Sequence, residues 1–179
     1  MPASRDFEMN DPEQNELTAV FSAYGHAVYS AQILENGIRG LLAIVDHERK
    51  KAGKPALKLR LDDADANKTL GTLFEDLMTV EFVTEAEKVL IWRAVHDRNV
   101  LVHSYWDEKH ILAMLNLEGR DWLIKNLSVR THRCTKADKI TTSFIDTHLR
   151  EYGTSTDTLL APLFDHWEND NEPPDEILR

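Results

Sequence analysis

Apolar side chains return at alternating three- and four-residue steps from Leu17 to Val45, through Val20, Tyr24, Ala27, Ala31, Leu34, Ile38 and Leu41. Such steps place side chains on one stripe of a helix, because the α-helix turns every 3.6 residues. The stripe is narrow and runs for about eight turns, so this segment reads as one long amphipathic helix with a coiled-coil-like seam. Its end is expected near His47 to Lys51, where a basic run precedes Gly53 and Pro55.

The rest of the chain continues in the same style. Residues 52–68 read as a loop, with a short extended piece where Leu57, Leu59 and Leu61 alternate. Leu70, Leu73, Phe74, Leu77 and Met78 mark a second, shorter helix. Thr84 and Glu87 form a capping box, hydroxyl and carboxylate each covering a free backbone N–H. A third helix follows, expected to reach about Trp106. Asn116 is the expected N-cap of a long fourth helix that stops at Gly153. Its middle, Ser128 to Lys139, is poor in apolar residues, so it reads as either exposed or broken. A short amphipathic piece around Leu159, Leu163, Phe164 and Trp167 is interrupted by Pro162. The expectation is an all-α, antiparallel bundle of four to five helices forming a single domain over residues 17–167. Residues 1–16 would be an acidic extension, and residues 168–179 an acidic, disordered tail.

Charge is unevenly divided. The chain carries a net −10, but residues 1–16 supply −4 and residues 165–179 supply −5, leaving −1 for the body. Two basic clusters remain within that body. One is Arg49, Lys50, Lys51, Lys54, Lys58 and Arg60; the other is Arg120, Lys125, Arg130, Arg133, Lys136 and Lys139. Either could line a phosphate backbone or simply form solvated surface. No apolar run approaches the ~20 residues that cross a bilayer, and the N-terminus has no hydrophobic segment of the signal-peptide kind. With Cys134 as its single cysteine the chain can form no internal disulfide, so the expected location is the cytoplasm.

The chemistry concentrates in Arg98-Asn99-Val100-Leu101-Val102-His103-Ser104-Tyr105. Removing a guanidinium and an imidazole from water is costly unless partners or a ligand replace the lost hydration. On an ideal helix Asn99 and His103 share a face, and Arg98 nearly eclipses Tyr105. Together the four groups span an arc of about 160° at ~100° per residue, too wide to meet at one atom. A helix end near His103 would narrow the arc, and a second copy of the motif from a twofold-related chain would complete a site. These groups suit phosphate-ester chemistry. RNA carries its own nucleophile in the 2′-hydroxyl, histidine shuttles protons near neutrality, and arginine holds a fixed charge against phosphate. No metal or other cofactor is required.

The order Arg98, four residues, His103, one residue, Tyr105, with the polar Asn99 after the arginine, resembles the signature of the HEPN domain superfamily. The likeness covers roughly residues 17–152. It implies an all-α bundle that dimerises through its motif helices and cleaves RNA without metal at a shared cleft, as toxin- or defence-type enzymes do. On that likeness Arg98 and His103 would be catalytic, Asn99 would support them, and Tyr105 would bind phosphate or accept modification by a nucleotidyltransferase-type antitoxin. The long loop at 52–68 and the acidic tails depart from the core pattern. The alternative is a non-catalytic nucleotide- or protein-binding module, or a regulatory partner, in which Arg98 is an ordinary ion-paired residue and His103 a satisfied helix-end histidine.

Glu35 occupies a seam position otherwise held by Phe21, Val28 and Leu42. A carboxylate there needs a partner. Two are available: Arg39 at i+4, as a surface pair, or Arg98, which Glu35 would orient. His96, His103 and His110 recur every seven residues, but no helix-borne His-x3-His pair and no Cys-x2-Cys accompanies them, so no metal site is expected. Trp92 and Trp106 flank the motif and read either as base-stacking groups or as core.

Overall fold

In the computed structural model the described residues are 12–54, 77, 80 and 83–155. They form four helices and, among themselves, no strand: α1 (Pro12–Lys51), α2 (Glu85–His103), α3 (Glu108–Ala113) and α4 (Leu117–Glu151). The helix expected around residues 70–78 and the amphipathic piece after Ser155 lie outside the described residues, apart from Leu77, which is helical and buried. The two acidic ends expected of residues 1–16 and 168–179 also fall outside them, except for the first turn of α1.

α1 follows its apolar stripe without a break and ends at Lys51, where Gly53 takes a positive φ of 68°. That left-handed turn is cheap for glycine and strained for any other residue. The stripe is the core: Val20, Ala27, Ala31, Leu34, Ile38, Leu41 and Leu42 are all buried. Each such leucine or isoleucine contributes about 1.5–3 kcal/mol relative to an exposed one.

α4 begins on its Asn116 cap, whose side chain accepts from the Gly119 N–H at 2.8 Å, and ends before Gly153, φ 73°. Its apolar-poor middle is neither broken nor fully exposed. Cys134 and Ala137 are buried there, Cys134 against Ala94 of α2, and Thr141 just beyond is buried against Gly37 of α1. A Cβ on Gly37 would stand 2.7 Å from Thr141 Oγ1, so the crossing admits hydrogen alone at that point.

The direction of packing departs from a simple antiparallel bundle. Glu13 meets Arg120, Gly37 meets Thr141 and Glu48 meets Tyr152, so α1 and α4 run parallel along their length. α2 runs antiparallel to both: Tyr24 of α1 meets Leu101, and Cys134 of α4 meets Ala94. Among the described elements the long passes go up, down and up, and an odd number of passes leaves the first and last parallel. Nor does α2 reach Trp106. It stops at His103, with the Ser104 N–H closing on Val100 O at 3.0 Å, and the chain turns so that Tyr105 enters the core. Asp107 then caps the short α3, accepting from the His110 N–H at 3.0 Å. No helix of the described residues is long and apolar enough to cross a membrane.

Candidate functional site

The capping box at Thr84 and Glu87 is present with both reciprocal contacts, and it sets where α2 begins. From there the helix places Asp97 and Arg98, adjacent in sequence, against different neighbours. Asp97 faces α4, its carboxylate 4% exposed and bonded by Arg130 Nη1 at 2.6 Å and by Arg133 Nη1. A buried carboxylate survives without large cost when two guanidiniums take its lone pairs. Arg98 faces α1.

Arg98 and Glu35 are both largely buried, with side chains 19% and 17% exposed. Arg98 Nε and Nη2 donate to Glu35 Oε2 at 3.1 and 2.8 Å. Glu35 Oε1 accepts from Arg39 Nη2 at 2.8 Å. Both partners open to Glu35 are thus taken at once, one by each carboxylate oxygen. Burial alone would push the Glu35 carboxyl up; the Arg39 hydrogen bond and the nearby Arg98 charge outweigh it and hold the group below its ordinary value.

With Nε and Nη2 committed to Glu35, Arg98 turns Nη1 toward the motif. Nη1 donates to Asn99 Oδ1 at 3.3 Å and lies 3.5 Å from His103 Nε2. His103 is exposed at the last residue of α2, and the long Arg98 side chain reaches it from five residues earlier. Arg98, Asn99, His103 and Glu35 therefore meet in one place. The last turn is further pinned by Tyr24, whose hydroxyl donates to Leu101 O at 2.8 Å, a carbonyl near the helix end.

Tyr105 does not join them. It is 1% exposed, and its ring packs against Tyr24, Trp106 and His110, with centroids 5.5, 5.2 and 4.4 Å away. Its hydroxyl is buried and has no hydrogen-bond partner among the described residues. Burial pushes the phenol up to about 12, the Arg130 guanidinium 5.8 Å from the ring centre opposing only in part. Phosphate binding and covalent modification, the roles expected of Tyr105, are closed to its hydroxyl in this arrangement. The reason is that α2 ends two residues earlier, which turns the ring inward.

The three regularly spaced histidines part company as well. His96 stacks on the exposed Trp92, His103 stands beside Arg98, and His110 is buried against Asp107 and Tyr105. Among the described residues no three His, Cys, Asp or Glu side chains gather as a metal-binding group. Trp106 belongs to the aromatic cluster with Phe21, Tyr24 and Tyr105. Sequence reasoning missed the Asp97 clamp. Its signal was the pair of arginines three residues apart in an apolar-poor stretch of a helix that had to pack somewhere.

Comparison of the chain with models of known families gave no match, and searches of curated proteins and of solved structures returned none either.

Proposed function

We propose that this chain is a metal-independent endoribonuclease of HEPN type, toxin- or defence-related, that acts as a homodimer with one motif from each subunit at a shared cleft. The convergence of Arg98 Nη1, Asn99 Oδ1 and His103 Nε2 carries the reading, since it sets a cation and a proton-transfer group together at the solvent edge of a packed helix. Arg98 Nη1 leaves His103 Nε2 for the incoming phosphate, and Nε2 then takes the proton from a ribose 2′-hydroxyl. The 2′-oxygen then bonds to phosphorus, the bond to the 5′-oxygen breaks, and that oxygen takes a proton from the second subunit's imidazolium. Arg98 faces the charge that builds on the phosphoryl oxygens, and Glu35 fixes the direction in which it points. Asn99 holds Nη1 in line.

Purified protein incubated with RNA should yield ends bearing 2′,3′-cyclic phosphate, and EDTA should not slow the cleavage. Arg98→Ala and His103→Ala forms that remain folded and dimeric should lose it. Equal cleavage by all three would mean a contaminant and would end the reading.

One observation favours the second reading, a binding module without catalysis. Glu35 already neutralises much of the Arg98 charge, and the motif tyrosine is buried. RNA or nucleotide binding that requires Arg98, with no cleavage under any condition, would select it. A nucleotidyltransferase-type antitoxin acting on Tyr105 would first have to open the turn after His103.

A further inference from the structure

The basic cluster on α4 separates into groups with different surroundings. Arg120 is buried, tied to Glu13 and Glu16 of α1 at 3.4 Å. Arg130 and Arg133 clamp Asp97. Beyond that clamp, between α2 and α4, runs an open groove of about 520 Å³ lined by Leu90, Ser128, Val129, His132, Arg133 and Lys136. Three of its six lining side chains are basic or can become so, one is a hydroxyl, and none is a carboxylate.

That composition runs against the whole chain, which has 31 acidic residues and 21 lysines and arginines. Screening at physiological salt confines each charge to about 8 Å, so a polyanion at this groove responds to the lining and not to the acidic total. The lining is also partly preset. Arg133 is held by Asp97 while a third of its side chain remains exposed, so it loses little freedom on meeting a phosphate. His132 and Lys136, both exposed, lie one turn apart on the same face of α4. Leu90 and Val129 supply an apolar patch beside them for a sugar or base edge.

The groove is physically joined to the motif. Asp97 anchors its arginine, and the next residue in the chain is Arg98. Leu90 and Arg98 are eight residues apart on one helix, about 12 Å at 1.5 Å per residue. The groove lies on the α4 flank of α2 and Arg98 on the α1 flank, so a single strand reaching both must cross the outward face of α2, where Trp92 and His96 are exposed.

We propose that this groove is a second phosphate-binding site for the same RNA strand, gripping the backbone to one side of the bond presented to Arg98 and His103. The identity of the strand rests on the endoribonuclease reading; the grip itself does not require cleavage. Contacts of this kind fix register and carry no sequence preference, so the groove would set which bond is presented without choosing its bases.

The test is a binding titration by fluorescence anisotropy, using labelled single-stranded RNA long enough to span motif and groove. A His103→Ala background keeps the strand intact. Lys136→Glu should weaken binding by about tenfold or more and flatten the dependence of log K on log salt by about 0.7 for the cation lost. Arg150→Glu, exposed at the far end of α4, makes the same change in net charge and should alter neither quantity. Equal weakening by the two substitutions, no weakening by Lys136→Glu, or no RNA binding by the parent would each overturn the proposal. If Lys136→Glu lowers binding while the protein with His103 in place cleaves no RNA, the groove stands and the nuclease reading falls. If Lys136→Glu binds and cleaves long RNA as the unmodified protein does, the groove falls and the nuclease reading stands.

Discussion

Removing Glu35 should cost more than removing Arg98, although the two share one ion pair. Glu35→Ala deletes the one anion that, among the described residues, bridges Arg98 and Arg39, and leaves two guanidiniums facing each other in a half-buried seam. Arg98→Ala deletes one donor group while Glu35 keeps Arg39 at 2.8 Å. Breaking a fully buried pair costs about 3–5 kcal/mol and breaking an exposed one about 0–1. Side chains less than one-fifth exposed fall between these limits, so Glu35→Ala should cost about 2–3 kcal/mol and Arg98→Ala about 1. In a chain of this size each kcal/mol lowers Tm by about 2–4 °C. Urea denaturation of the two single variants and the double variant gives the coupling, expected at about 1–2 kcal/mol. Losses that add to within about 0.5 kcal/mol, or an Arg98→Ala form less stable than Glu35→Ala, would refute the claim that Glu35 holds Arg98 in place.

Two further outcomes follow from the same region. Tyr105→Phe removes a buried hydroxyl that has no partner among the described residues, so stability by urea denaturation should hold or rise by about 1 kcal/mol and RNA cleavage should be unchanged; a marked loss of cleavage would return the hydroxyl to the mechanism. Because the folded protein holds Glu35 below its ordinary carboxyl value of 4.5, the Glu35 contribution is fully present above that pH and is lost as pH falls through the lower folded value. Melting curves taken at successively lower pH should therefore show a decline below about pH 4.5 that Glu35→Gln makes shallower, and identical declines would exclude Glu35 as a source.

What could be read from the chain was local. The end of α1, the Thr84 capping box, the Asn116 cap and the stop at Gly153 each depend on a few adjacent residues, and all lie where expected. The two alternatives weighed for Glu35 were both spatially sound, and the structure uses both because a carboxylate has two oxygens. Three features depend on what lies across the bundle and were not legible. The parallel course of α1 and α4 follows from the number of passes, not from either stripe. The middle of α4 looked too polar to pack, yet Arg130 and Arg133 pack by meeting Asp97, whose destination depends on the rotation of another helix. Tyr105 looked like a member of the site because spacing on an ideal helix aligned it with Arg98. The end of α2 at His103 cancels that alignment, as the chain leaves the helical path at Ser104 and sends the phenol inward.

Asp97 and Arg98 keep α2 from rolling. Their side chains leave the axis about 100° apart, one grasped by α4 and the other by α1, so the rod behaves as a shaft keyed on two sides. Any twist that improves one grip strains the other. The guanidinium and the imidazole at its tip ride on that one rod, so a grip on two sides fixes the bearing of both.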